Sequence, residues 1–181
     1  GLVGRILHRR GGEAALRYDD AATPETARRI AALAQANRAS RRPIVDPASR
    51  VTVAMTSHGD RVRRAWMAVE SIADGAALPG RMVLALSPRD AARAGRELRR
   101  LERRGLEILV VDEELGVHTK WYPVTQGLET PLVTSDDDQL YPRQWLEDLV
   151  RVHGDHPDDV VVHRAHVIGV TDGRLDPYLR W

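Results

Sequence analysis

Three consecutive aspartates, Asp136, Asp137 and Asp138, follow the short apolar run PLVTS at 131–135, and the next basic residue is Arg143. Adjacent like charges repel, and a folded chain does not bury such a set unless a cation or an array of hydrogen-bond donors compensates it. Oxygen ligands of this kind suit a hard divalent cation, Mn²⁺ or Mg²⁺, shared between one or two carboxylates and a substrate diphosphate. In an extended or turning backbone Asp136 and Asp138 point to one side while Asp137 points away, so the spacing offers two convergent carboxylates and one divergent one. The competing reading of any short acidic triplet is a solvated turn. Placement straight after a buried strand favours a metal site.

The elements that must position this triplet alternate in type. VTVAMTS, RMVLAL, LEILVVD and PLVTS are short apolar runs, which predicts strands over 51–57, 82–86, 107–112 and 131–135. Between them Asp60 is a candidate cap for a helix through RVRRAWMAVESIADG. Ser87 and Pro88 open a second helix expected to continue to Gly105, and Pro142 opens a third through PRQWLEDLVRVH. Strands this apolar, separated by helices, predict an α/β fold with a mainly parallel sheet covered on both faces. Such sheets bind ligands beyond the carboxyl ends of their strands. TSHGDR, Asp112 and SDDD all fall at such ends, and so form one expected rim. Upstream, Thr23 and Pro24 are the N-cap and first turn of an amphipathic helix, and RRPIVDPASR reads as a connector. Residues 1–50 are therefore read as an N-terminal helical extension and linker. Downstream, DVVVHRAHVIGV is expected as a fifth, longer strand and TDGR as a hairpin turn.

Several enzyme classes lack their signatures. A phosphatase of the haloacid dehalogenase type carries paired aspartates after its first strand, where this chain has MTSHGDR. Neither a Gly-rich phosphate loop nor G-x-G-x-x-G is present. What remains is an acidic motif at the fourth strand of a nucleotide-binding sheet.

Taken in order, VTVAMTSHGDRVRRAWMAVESI, LEILVVDEELGVHTKWYPV, PLVTSDDDQLYPRQWLEDLV and VVVHRAH resemble the bacterial glycosyltransferases of the GT-A fold, family 2-like, that serve capsular and other surface polysaccharides. The likeness spans residues 51–170. It implies a GT-A-like catalytic domain over 51–181, its acceptor side open to continuation beyond Trp181. It also implies a nucleotide-sugar donor, expected as a UDP-sugar, and a saccharide or lipid-linked acceptor. Asp136 and Asp138 are then the D-x-D pair for Mn²⁺ or Mg²⁺, with Asp138 central to catalysis and Asp137 beside the donor. Thr56, Ser57 and Arg61 fall where the pocket for base and ribose begins, and Asp112 where a nucleotide contact is placed. Lys120 either meets the diphosphate as a point charge or pairs with an aspartate. Asp172 and Asp176 follow the last strand and are candidates for a general base, Asp172 first among them. His163 and His166 face opposite sides of a strand and so do not converge on a metal; because the likeness includes this segment, it implies that they shape the acceptor side. Trp66 and Trp145 read as core, while Trp121 and Trp181 are candidates for a sugar site. Two rivals stay open: a metal-dependent nucleotidyl- or phosphotransferase, and a nucleotide-binding domain without chemistry.

Composition narrows the setting. Hydrophobic residues make up 43% and charged residues 29% of 181, which fits a folded domain rather than a disordered chain. The formal charge of +1 supplies no bulk field toward nucleic acid or anionic membrane, so an anionic partner must be held locally. The absence of cysteine excludes disulfides, thiolate metal sites and a cysteine nucleophile. With no membrane-length apolar run and no signal-peptide core, the expected setting is cytoplasmic, with peripheral membrane association compatible.

Overall fold

The computed structural model describes residues 5–6, 16–17, 23–112, 115–166 and 168–177. Two compact units emerge: a larger one over residues 13–147, and a smaller one made of residues 1–12 with 148–181.

In chain order the first elements are two-residue strands, β1 (Arg5–Ile6) and β2 (Leu16–Arg17), followed by helix α1 (Pro24–Ala39). Thr23 caps α1 as its sequence requires: the hydroxyl oxygen accepts the Thr26 N–H at 3.2 Å, and Pro24 occupies the first turn. Strand β3 (Thr52–Thr56), helix α2 (Trp66–Ala73) and strand β4 (Arg81–Leu86) come next. They are followed by the short helices α3 (Pro88–Ala91) and α4 (Arg96–Glu102), then strand β5 (Leu106–Val110). Strands β6 (Leu132–Thr134) and β7 (Gln139–Leu140) and helix α5 (Trp145–Asp155) follow, and β8 (Val161–Val162), β9 (Val170–Thr171) and β10 (Arg174–Leu175) complete the set.

The larger unit is built on a four-stranded sheet in the order β5-β4-β3-β6, and every neighbouring pair is parallel. All four expected strands are present: β3, β5 and β6 are each two residues shorter than their apolar runs, and β4 fills RMVLAL completely. The central strands β3 and β4 are buried along nearly their whole length, which is why they read as continuous apolar runs rather than alternating ones. With helices flanking it, the sheet is compatible with a Rossmann-like α/β fold.

Helix α1 packs on α2 and α4, so the N-terminal helix belongs to the body of the larger unit. It buries Thr26, Leu33 and Asn37 on one face. Leu33 meets Met67 and Leu140, with Ile30 and Trp66 against them. A second cluster joins Ala54 and Val83 of the sheet to Val124, with Leu109 and Leu132 at its border. Beneath α2 lies a charged knot. Glu70, 2% exposed, accepts two bonds from Arg104 Nη1 at 2.8 and 3.0 Å, and Arg104 Nε donates to the Arg42 carbonyl at 2.7 Å. Asn37 adds a bond to Glu70 at 3.3 Å.

Two expected helices take a different form. The stretch after β3 begins with a 3-10 turn, Gly59–Arg63, and α2 starts only at Trp66. Gly59 has φ +58°, outside the α-helical region, so a regular helix cannot begin there. Asp60 consequently caps nothing and pairs with Arg93 at 2.9 Å. The helix opened by Ser87 and Pro88 breaks between Ala92 and Gly95, and Gly95 caps its continuation.

In the smaller unit β1 pairs parallel with β8, and β9 pairs antiparallel with β10. The expected fifth long strand is only the two residues of β8; residues 163–166 leave the sheet. The TDGR turn forms as predicted, with Thr171 opposite Arg174 and positive φ at both Asp172 (50°) and Gly173 (73°), the signature of a type I′ hairpin.

Candidate functional site

Strand β3 lies between β4 and β6, so the connection leaving it runs one way while its other neighbour arrives from later in the chain. At such a reversal the carboxyl ends of adjacent strands are splayed, and ligands of open α/β sheets enter there. Ser57 follows β3 and Ser135 follows β6, where the Ser135 N–H donates to the Ala54 carbonyl at 2.9 Å and carries the pairing one residue further. The acidic triplet begins at the next residue.

Asp137 turns inward. It is 3% exposed and accepts the Ser57 hydroxyl at 2.5 Å and Arg61 Nε at 3.1 Å on one carboxylate oxygen, while Arg61 Nη2 bonds the other. This fork locks the acidic loop to the loop after β3, 80 residues away in the chain. Arg61 Nη2 also reaches Asp138 Oδ2 at 3.3 Å, and that side chain retains 19% of its exposure. Asp136 faces solvent with 57% of its side chain exposed and accepts Lys120 Nζ at 2.6 Å. Lys120 is the chain's single lysine, set against 26 arginines. Three carboxylates against two cations leave one net negative charge, which is how the fold tolerates the run.

The triplet is therefore ordered by its counter-ions. Asp137 diverges from its neighbours as backbone alternation predicts, but it diverges into the protein, where it anchors the loop. Asp136 and Asp138 are held by different cations, Lys120 and Arg61. Of the two readings for Lys120, pairing with an aspartate is the one present in this structure. Among the described residues no group of three or more His, Asp or Glu side chains is placed to hold a metal. Thr56 and Ser57 both spend their hydroxyl protons inside the fold: Thr56 donates to the Ala85 carbonyl at 2.7 Å and Ser57 to Asp137. Asp112 is exposed just past the end of β5.

The loop has further supports that its motif did not reveal. Tyr141, 5% exposed, accepts the Asp136 N–H on its hydroxyl at 2.6 Å and donates to the Asp136 carbonyl at 3.2 Å. Its own N–H donates to Ser71 Oγ at 2.9 Å, and its ring lies 4.3 Å from that of Trp145. On the other side Asp90 accepts the Gly59 N–H at 2.9 Å and so pins the turn that carries Arg61. A tyrosine three residues after an acidic run is a faint signal, and Asp90 reads in sequence only as part of the Ser87 cap.

Burial raises the Tyr141 phenol well above its ordinary value of 10, and the surrounding aspartates push the same way. In the unfolded chain the phenol ionises near 10, whereas in the folded one it stays protonated, so stability falls as pH rises beyond that point. Tyr141→Phe should remove this alkaline loss. At neutral pH it should cost about 1–3 kcal/mol, because the Asp136 N–H loses its partner. Urea unfolding of both proteins at neutral and alkaline pH checks it; parallel pH profiles would show that Tyr141 is not the group responsible.

No family model and no curated protein matches this chain. Its own geometry therefore carries the functional reading.

The other residues around the two units are placed as follows. Thr119 is buried in a 3-10 turn, Gly116–Lys120, that packs against β3 and β4 and presents Lys120 to the acidic loop. Trp121 follows it, 39% exposed, edge-on to both His118 and Tyr122. Trp66 and Trp145 pack as core residues, and Trp181 lies outside the described residues. In the smaller unit Asp172 occupies a hairpin turn whose φ of 50° accounts for an aspartate there without catalysis. Arg164 Nη2 lies 3.3 Å from His166 Nε2, beyond the end of β8, so the strand alternation expected for His163 and His166 does not apply. Among the described residues no helix is long and apolar enough to cross a membrane.

Proposed function

We propose that the acidic loop is the donor site of a metal-dependent, GT-A-type glycosyltransferase, moving a sugar from a nucleotide diphosphate, expected as a UDP-sugar, to a saccharide or lipid-linked acceptor. The observation that supports this best is the Ser57–Arg61–Asp137 lock, which sets an ordered acidic loop at the strand-order reversal of a parallel sheet. The ordered sequence likeness to that family agrees with it. A solvated turn needs neither a buried central aspartate nor a tyrosine strut beneath its neighbour.

The donor set fits a hard divalent ion: Asp136 and Asp138 offer carboxylate oxygens that keep solvent access, and such ions commonly take one or two carboxylates with substrate phosphates and water completing the shell. Bound there, Mn²⁺ or Mg²⁺ would neutralise charge on a departing diphosphate. The chain's own contribution is positional. Asp137 accepts from Arg61 and Ser57 and holds the loop's shape. Lys120 and Arg61, which pair with Asp136 and Asp138, are the cations at hand for the diphosphate. Trp121 and Tyr122, next in the chain after Lys120, supply exposed aromatic faces for a saccharide.

UDP or a UDP-sugar should therefore raise the melting temperature more with Mn²⁺ than with EDTA. At a ligand concentration of about 100 Kd the stabilisation should reach about 2.7 kcal/mol. Equal stabilisation in EDTA would remove the metal from the reading, and no response to any sugar nucleotide would overturn the donor site itself.

A further inference from the structure

A second charged feature of the larger unit lies away from the acidic loop. The carboxyl end of α1 and the carboxyl end of α4 meet around a cavity of about 420 Å³ lined by Ser40, Arg41, Arg100, Arg103 and Arg104. The last residue of α4 is Glu102 and β5 starts at Leu106, while α1 leads through the connector into the start of β3. In a parallel sheet those junctions lie at the amino ends of the strands. The cavity is thus at the edge opposite to the one that carries the aspartates.

Four guanidinium groups around one void is a costly arrangement unless something negative occupies it. The acids in reach are spoken for. Glu70 sits beneath Arg104 and pairs with it, Glu102 is held by Arg99 at 2.8 Å, and Glu97 by Arg96 at 3.0 Å. Arg100 donates to the Asn37 side-chain carbonyl oxygen at 3.3 Å and lies near enough to Glu97 to help hold its carboxyl below the usual range. Neither Arg41 nor Arg103 has a carboxylate partner among the described residues, and both are exposed. Arg104, by contrast, is 7% exposed at its side chain and clamped by Glu70 and the Arg42 carbonyl, which makes it a rigid floor. Ser40 Oγ accepts the Arg42 N–H at 3.1 Å, so its own proton is available to a ligand.

The charge arithmetic selects the ligand class. Four arginines less Glu70 leave three positive charges. The two helix carboxyl ends contribute roughly one negative charge between them. The remainder is about two, the charge of a phosphate monoester at neutral pH. Planar guanidinium forks match phosphate oxygens in pairs, which a lysine cluster would not do. The volume exceeds that of a phosphate alone and leaves space for part of the group it esterifies.

We propose that this arginine pocket binds a phosphate monoester dianion, either the headgroup of an anionic phospholipid or a small soluble phosphorylated compound, independently of the acidic loop. The test uses the full chain in EDTA, so that no metal bridges an anion at the aspartates. Inorganic phosphate is titrated against chloride at constant ionic strength, with melting temperature and calorimetric heat as readouts. Co-sedimentation is measured with phosphatidylcholine vesicles with and without phosphatidic acid. The wild type should bind, and the Arg41→Gln, Arg103→Gln double variant should bind about tenfold more weakly or worse, since two charge-assisted contacts are gone. Among the described residues those two side chains make no hydrogen bond or ion pair, so the double variant should melt where the wild type does in chloride. Asp138→Asn should bind phosphate as the wild type does. Sedimentation only with phosphatidic acid vesicles, lost in the double variant, assigns the headgroup; phosphate heat without sedimentation assigns a soluble compound. No binding in either arm, or equal binding by wild type and double variant, would overturn the proposal.

Discussion

Glu70→Ala is expected to lower the unfolding free energy by about 3–5 kcal/mol, a large share of what a domain of this size holds. The glutamate is 2% exposed and its partner Arg104 is 7% exposed at the side chain, so neither charge can return to water when the other is lost. The cost arises from the guanidinium left buried without its anion, more than from the attraction removed. The same reasoning predicts a recovery. The Glu70→Met, Arg104→Met pair, which removes both charges and keeps apolar volume, should be several kcal/mol closer to the wild type than Glu70→Ala alone. Urea denaturation of the single and double variants completes the cycle. Additive losses would show that Arg104 finds another partner in the single variant and that the pair is not a unit.

Replacing Asp138 by asparagine is expected to reduce metal-dependent sugar transfer by about a hundredfold or more while leaving the melting temperature nearly unchanged. The substitution keeps the shape of the side chain and removes one charge from the loop's exposed pair. Asp137→Asn should show the opposite division. Asp137 is the buried aspartate, and an amide in its place sets N–H groups against the donors of Arg61 and Ser57. Because Arg61 keeps 43% of its side-chain exposure and can regain water, the stability loss should stay at about 1.5–3 kcal/mol. Transfer should then fall with loop order rather than with metal affinity. Activity at saturating Mn²⁺, measured beside unfolding of both variants, separates the two. Full transfer by Asp138→Asn would return the triplet to a solvated turn.

These contrasts show what could be read from the chain and what could not. The central strands β3 and β4 were legible because a strand buried on both faces needs an unbroken apolar run, and VTVAMT and RMVLAL contain little else. Helix α1 and the 170–175 hairpin were legible because their signals are local: Thr23 with Pro24, and Asp172 with Gly173, satisfy backbone requirements within four residues. The break between α3 and α4 was not. The Ser87 cap is equally compatible with a long helix, and Gly95 by itself weakens a helix without ending it.

The acidic loop divides along the same line. By itself the sequence determined that three carboxylates stand at the carboxyl end of a strand, and that alternation sets the middle one apart; that strand, β6, is half-buried rather than buried as expected. Only the tertiary structure decided that the middle one is the buried anchor, that Arg61 forks onto it from 76 residues away, and that Lys120 covers Asp136. Only the tertiary structure gathered arginines from α1 and α4 into one pocket. The physical reason is range. Backbone geometry and hydrophobic periodicity act over a few residues and are written in order along the chain, whereas the counter-ion of a buried charge is chosen by whichever distant element the packed core brings within about 4 Å of it.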